Sequence, residues 1–183
     1  MKIEIPYKPR PLQKELHNKL KRFNVICCHR RFGKTVFAIN HLIKTALHKP
    51  NQRLAYIAPT YRQGKNVAFD YLKEYTQPLM KLGGSRHETE LKVDLWNGSR
   101  LQIFGADNPD ALRGLGFDGV CMDEFALMSP RTWTSGRTGV SNVDILSTRS
   151  AEGWFLLGAA VLQIGVRSRW KLFSAYATEQ HQR

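Results

Sequence analysis

Acidic residues are scarce in this chain of 183: 15 Asp and Glu stand against 28 Lys and Arg, giving a net charge of +13 and a pI near 10.0. Such a deficit argues against an acidic, self-solvating chain and favours a polyanionic partner, of which nucleic acid is the usual one. Cysteine is rarer still. Cys27, Cys28 and Cys121 make an odd number without metal-ligand spacing, which excludes a disulfide framework or a zinc cluster and leaves free thiols in a reducing compartment. Long apolar runs are also missing. The longest, Trp154 to Val161, is far too short to span a bilayer, and Met1 to Arg10 alternates charged and apolar residues where a signal peptide needs an apolar stretch. The expectation is a cytoplasmic protein with no membrane partner. What is present is globular composition, 42% hydrophobic and 23% charged, over a length that suits one domain.

Hydrophobic periodicity gives the order of elements. Lys8 to Leu12 reads as an extended lead-in and Gln13 to Arg22 as a short amphipathic helix. Phe23 to Cys28 is a short, partly β-branched apolar run, hence a buried strand. Thr35 to His48 has helical spacing at Val36, Ile39, Ile43 and Ala46, with Pro50 as its stop. Arg53 to Ala58 is a second strand, closed by Pro59-Thr60. Gln63 to Lys81 reads as a helix that must bend or break before Pro78. Glu88 to Trp96 and Arg100 to Phe104 both alternate, and Asn97-Gly98 between them predicts a type I′ hairpin turn. Ala106 to Gly116 is a loop with one helical turn at Pro109 to Arg113. Gly119 to Met122 is a short apolar strand that ends on Asp123-Glu124. Strands alternating with helices predict an α/β fold with a mostly parallel sheet and one added antiparallel hairpin.

A strand, then Gly33-Lys34-Thr35, then a helix is what phosphate binding requires. Backbone N–H groups at the turn and the helix N-terminus face the phosphates, and the helix dipole adds to their attraction. Lys34 would reach the β- and γ-phosphates, and the Thr35 hydroxyl would take a Mg²⁺ position. Alone the tripeptide is a weak signal, and Cys28 stands where the strict phosphate-loop pattern has its first Gly. The second half of such a site is a carboxylate at a strand end that holds the metal. Asp123 supplies it, and Glu124 is then the general base that polarises the attacking water. Arg30 and Arg31 lie inside the loop, where an Arg can stabilise charge developing on a transferred phosphoryl group. Phe32 completes the loop. Gln13 has an amide suited to paired hydrogen bonds with an adenine edge, although a helix-surface Gln is the commoner explanation.

Taken together, these stretches resemble the large terminase subunit of tailed bacteriophages, the motor that packages DNA into a capsid. Pro9-Arg-Pro-Leu-Gln13 is similar to that family's adenine-contacting segment. His29-Arg-Arg-Phe-Gly-Lys-Thr35 resembles its variant phosphate loop, with Arg30 at the position of an internal arginine finger. Tyr56 to Gln63, Asn97 to Gly105, Ala111 to Gly114 and Phe117 to Glu124 follow in the same order, so the likeness runs from about Tyr7 to Trp133. The resemblance implies a P-loop NTPase of RecA-like architecture that binds ATP and Mg²⁺ and works in the host bacterial cytoplasm. Its implied partners are double-stranded DNA, a portal protein and a small terminase subunit, with a homo-oligomeric ring on the portal.

Past Trp133 the likeness fades, which divides the chain into a terminase-like ATPase core at 1–133 and a divergent or truncated segment at 134–183. The family's coupling motif, a small-Thr-Pro turn, has two stand-ins, Ile145 to Thr148 and Phe155 to Ala160, and neither carries the Pro. The family's nuclease is excluded by composition. Beyond Glu124 the only carboxylates are Asp144, Glu152 and Glu179, too few and too scattered for two-metal cleavage. Truncation or a frame shift after about residue 133, as in a decaying prophage, accounts for both departures. Two other functions compete with the packaging motor: a helicase-like P-loop ATPase fragment, and a catalytically dead basic remnant that binds DNA without turnover.

Overall fold

A computed structural model describes residues 3–21, 23–28, 31–129, 131–132 and 143–148. Helix α1 (Pro11–Lys19) precedes β1 (Phe23–Cys27), α2 (Lys34–His48) and β2 (Arg53–Ala58). A helical stretch follows, as α3 (Tyr61–Gln63), a π-turn (Gly64–Ala68), α4 (Phe69–Thr76) and a 3-10 turn (Gln77–Leu82). Then come β3 (Ser85–His87), β4 (Lys92–Asp94), β5 (Arg100–Gly105), β6 (Gly119–Met122) and β7 (Val143–Thr148). The seven strands form one sheet in the order β1-β7-β6-β2-β5-β4-β3. The first five run parallel, and β4 and β3 are added antiparallel at one edge. This is the predicted α/β architecture with its hairpin.

Alternation along the central strands builds two cores. Leu54, Tyr56 and Ala58 of β2 share one core with Leu42, Ile43 and Ala46 of α2 and Phe69 and Leu72 of the following helix. Ala55 and Ile57 face the other way, toward Val120, Met122, Phe117 and Phe125. Burial on both faces is why β2 and β6 read as continuous apolar runs with little alternation of polarity. Strand β7 comes from beyond residue 133 and lies between β1 and β6, so the sheet draws a central strand from the segment assigned to the divergent part. Of the two coupling-motif stand-ins, Ile145 to Thr148 belongs to this strand, and Phe155 to Ala160 lies outside the described residues.

Three local expectations are corrected. Helix α1 starts at Pro11, because Pro suits the first helical position and the Gln13 side chain reaches back to the Arg10 N–H at 3.0 Å. The strand expected over Glu88 to Trp96 is confined to Lys92–Asp94. Leu91 adopts a left-handed φ of 49° while fully buried, and this breaks the run into a turn that leads back to β3. The β4–β5 connection is not a type I′ turn either. Only Gly98 of the Asn97-Gly98 pair has positive φ, and Gly98 N bonds Leu95 O while Leu95 N bonds Ser99 O. That is the longer loop in which a type I turn is followed by a left-handed Gly. Asn97 is held away from positive φ by its amide bond to Ala46 O at 2.8 Å and by Asn51 N on its own carbonyl. The long helix does break before Pro78, passing into the 3-10 turn after Thr76.

Under α1 lies a cluster of rings. His17 stacks near Phe37, with centroids 4.2 Å apart, and beside His41 at 5.6 Å, while Tyr7 Oη bonds His17 Nε2. His17 Nδ1 and both ring nitrogens of His41 are buried with no hydrogen-bond partner. Burial, with help from the nearby Lys44 charge, pulls the His17 pKa down to about 4, and burial with His17 and Lys44 does the same to His41. Both rings are therefore neutral in the folded chain and protonate near pH 6.5 when unfolded. Between those values the unfolded state binds protons that the folded state refuses, so stability falls as pH drops from 6.5 toward 4. Urea midpoints should slide downward from pH 7 to pH 5, reflecting a loss of unfolding free energy of up to about 1.4 kcal/mol per pH unit for each ring. His17 is less deeply buried than His41 and contributes the smaller share. The same series on His41→Phe should slope less steeply; equal slopes would remove His41 as a cause.

Candidate functional site

Helix α2 begins where β1 and its loop deliver the chain to one end of the sheet, and most of the predicted site residues gather there. Gly33 is the N-cap of α2, with φ 84° and ψ 39°, a left-handed conformation that a side chain would strain. Arg31 is also left-handed, at φ 65°. A left-handed residue followed by a helical one turns successive N–H groups into a concave nest that suits anions. No acidic residue stands in the first turn of α2, and Lys34 sits at its start, the unfavourable end of the helix dipole for a cation. An anion at that point would offset both. Lys34 Nζ meanwhile donates to Cys28 O at 3.2 Å, spanning the loop. His29 and Arg30 lie outside the described residues, and so does the arginine-finger expectation placed on Arg30.

Eighty-eight residues later in the chain, Asp123 follows β6 and meets α2. Its Oδ2 accepts from Thr35 Oγ1 at 3.0 Å and from the Tyr56 hydroxyl, and its Oδ1 accepts from Glu124 N at 3.0 Å. The backbone N–H of Asp123 adds a bond to Ile57 O. Asp123 is buried, and burial followed by the adjacent Asp123 charge pushes the Tyr56 hydroxyl pKa well above its usual value. Tyr56 thus remains a proton donor at any ordinary pH. Its part in the site was missed in sequence, where it is one apolar-patterned residue of a strand. Finding it needs the knowledge that β2 lies beside β6 with Tyr56 opposite Cys121.

Glu124 holds a left-handed φ of 53° and heads the 3-10 turn Phe125–Leu127. Four non-glycine residues among those described have positive φ, and two of them, Arg31 and Glu124, fall in the predicted site. Backbone held in sparsely populated conformations clusters at functional positions. Gln13, at 3% exposure, is sunk against the loop: its Nε2 donates to Phe32 O at 3.1 Å and Gly33 O at 3.4 Å, and its Oε1 accepts from Arg10 N. Both ends of its amide are engaged within the chain. A groove of about 510 Å³ between α1 and α2 is lined by Tyr7, Pro9, Lys14, His17, Asn40 and Lys44 among others, and by no residue of the phosphate loop.

Thr35 and Asp123 offer hard oxygen donors side by side, which suits Mg²⁺, an ion that takes one or two protein oxygens and completes its shell with water and phosphate. No cluster of three or more metal-ligating side chains occurs among the described residues, so a cation here would depend on a bound polyphosphate. No helix among the described residues is long and apolar enough to cross a membrane.

No family model matches the chain. Among curated proteins, the terminase large subunits of Thermus phage G20c and Thermus virus P23-45 are each 26% identical over 172 residues. The match takes in 81% of this chain and 35% of either relative, so the chain spans about a third of their length. Solved structures show the fold. The large terminase ATPase domain of Thermus phage P74-26 aligns with TM-score 0.69 at 24% identity, over 91% of this chain and 74% of that one. The large terminase of a thermophilic bacteriophage in complex with ADP aligns at 0.55 and 16% identity, over 72% and 34%. The Sulfolobus solfataricus SWI2/SNF2 ATPase core in complex with double-stranded DNA aligns at 0.58 and 13% identity, over 81% and 33%.

Proposed function

From a chain related in sequence to phage terminase large subunits, and built on the fold of their ATPase domains, we propose a nucleotide-driven motor domain that binds and hydrolyses ATP to move double-stranded DNA. The observation that carries this reading is the meeting of Thr35 and Asp123 at 3.0 Å, at the mouth of a loop whose backbone is shaped for phosphate. Lys34 and the N–H groups of Phe32, Gly33 and Lys34 hold the phosphates. Thr35 and Asp123 would hold Mg²⁺, which when bound neutralises charge on the β- and γ-phosphates. Glu124 takes a proton from the attacking water, and Arg30 and Arg31 stabilise charge on the transferred group. A structural neighbour solved with ADP supports a nucleotide as ligand.

Turnover is the direct test. The chain should release phosphate from ATP, and Lys34→Ala should reduce release to background. A wild-type chain no faster than Lys34→Ala would sink the enzymatic reading and leave a DNA-binding remnant. The net charge of +13 supports DNA as the polyanionic partner, because neutralised phosphates release counterions. Affinity for a DNA duplex should therefore fall steeply between 50 and 200 mM salt, by roughly tenfold or more; an unchanged affinity would count against it. A portal protein, a small terminase subunit and a ring of copies are proposed on family likeness alone.

The likeness to a SWI2/SNF2 ATPase core supports a second reading, a helicase-like translocase. The Arg-Arg pair within the loop and the β4–β5 hairpin ahead of β6 favour the packaging motor.

A further inference from the structure

We propose that Tyr56 is a positioning residue for the cation site. Its hydroxyl fixes Asp123 in the orientation that takes the Thr35 proton, so that Thr35 offers a cation only oxygen lone pairs. The proposal rests on the reading of the neighbouring loop as a polyphosphate site. Two hydroxyls, from Tyr56 and Thr35, donate to Asp123 Oδ2, and the Glu124 N–H donates to Oδ1. A carboxylate oxygen has about two lone-pair positions, so Oδ2 is filled from within the chain. An ionised carboxylate accepts and cannot donate, and a hydroxyl carries a single proton. Thr35, having given its proton to Oδ2, meets any further partner as an acceptor, which is what a hard cation requires.

The three side chains come from three elements. Tyr56 lies in β2 opposite Cys121 of β6, Asp123 follows β6 with its N–H on Ile57 O, and Thr35 stands in the first turn of α2. Tyr56 shares its face of β2 with Leu54 and Ala58, both apolar and buried in the core that α2 completes. A Phe would fill that place without the cost of burying a hydroxyl. What the hydroxyl adds is orientation. The χ2 torsion of Asp is broad and roughly two-fold, so packing alone sets the carboxylate plane weakly. A donor on each oxygen removes that freedom, and on Oδ2 the donor besides Thr35 itself is Tyr56.

Calorimetric titration of the full chain with the slowly hydrolysed analogue ATP-gamma-S, in Mg²⁺ and in EDTA, gives the factor by which the cation tightens binding. Tyr56→Phe removes one oxygen and keeps the ring. It should leave affinity in EDTA unchanged and cut the Mg²⁺ factor by about tenfold, as loss of a group that orients a metal ligand does. Leu54→Val, two residues back on the same face of β2, should lower the urea midpoint and keep the factor. An unchanged factor in Tyr56→Phe would overturn the proposal. Equal losses in Mg²⁺ and EDTA, or a factor lost in Leu54→Val as well, would overturn it in favour of a purely structural role. Should Tyr56→Phe not fold, the wild-type chain carries the test. With isotopically labelled tyrosine, the buried Tyr56 hydroxyl proton should give a slowly exchanging resonance that persists when Mg²⁺ and the analogue bind. Its loss on binding would overturn the proposal, because an orienting bond must outlast the arrival of the cation. A wild-type chain that binds the analogue in neither condition would instead sink the polyphosphate reading and take the Tyr56 role with it.

Discussion

Glu124→Gln is expected to leave ATP binding close to wild type while turnover falls by about 10²–10⁴-fold, the usual contribution of a positioned general base. The amide keeps the size and shape of the carboxylate and one accepting oxygen, but cannot accept a proton from water. Binding should survive because the groups proposed to hold phosphate lie elsewhere: the loop from Arg31 to Lys34, and the Thr35–Asp123 pair. Glu124 leaves that pair on a turn of its own backbone. Its left-handed φ of 53° and the bond from its N–H to Asp123 Oδ1 turn the chain sharply at the end of β6. Single-turnover phosphate release, beside titrated nucleotide binding, measures the two effects separately. If affinity and turnover fell together, Glu124 would be a ligand contact and not a base. If turnover were unchanged, the base would have to be sought elsewhere.

How far this site can be read from sequence follows from how local each signal is. The β1–loop–α2 unit is written in one continuous stretch, because an apolar run, Gly33-Lys34-Thr35 and a 3.6-residue period each act within a few residues. The Asp123-Glu124 ending of β6 is equally local. What sequence cannot carry is adjacency across the sheet. Tyr56 reaches Asp123 only because β6 pairs with β2, and β1 connects to β6 only through β7, which enters from beyond residue 133. The Gln13 amide illustrates the same limit. Its residue type announces hydrogen bonding, but whether the partner is a base or a loop carbonyl is decided by where α1 packs. The break at Leu91 was hidden for a different reason. Leu91, Val93 and Leu95 keep the period-2 burial of a strand even though the backbone at Leu91 is left-handed.

Phe37→Ala is expected to cost about 3–5 kcal/mol, the usual range for emptying a buried aromatic site. Against a total stability of roughly 5–15 kcal/mol that is a large fraction, equivalent to a Tm lowered by roughly 6–20 °C in a chain of this size. Phe37 is 1% exposed, on the face of α2 that meets α1, and its N–H closes the first helical bond onto Gly33 O. Its ring also shields the histidine pair, lying 4.2 Å from His17 and 6.3 Å from His41 between centroids. Opening that space lets water reach His17 Nδ1 and the two ring nitrogens of His41, which have no partner in the folded chain. Their pKa values should then rise from about 4 toward 6.5, and the dependence of stability on pH over that interval should flatten. Thus one substitution is expected to lower the urea midpoint at pH 7 and to reduce its slope with pH, and the two effects have the same cause. Phe37→Leu, which refills most of the volume, should cost about 1 kcal/mol and keep the slope. A loss below 1 kcal/mol for Phe37→Ala would mean that α2 is not held to α1 by this ring. A large loss with the slope unchanged would mean that the histidines owe their neutrality to Lys44 more than to burial.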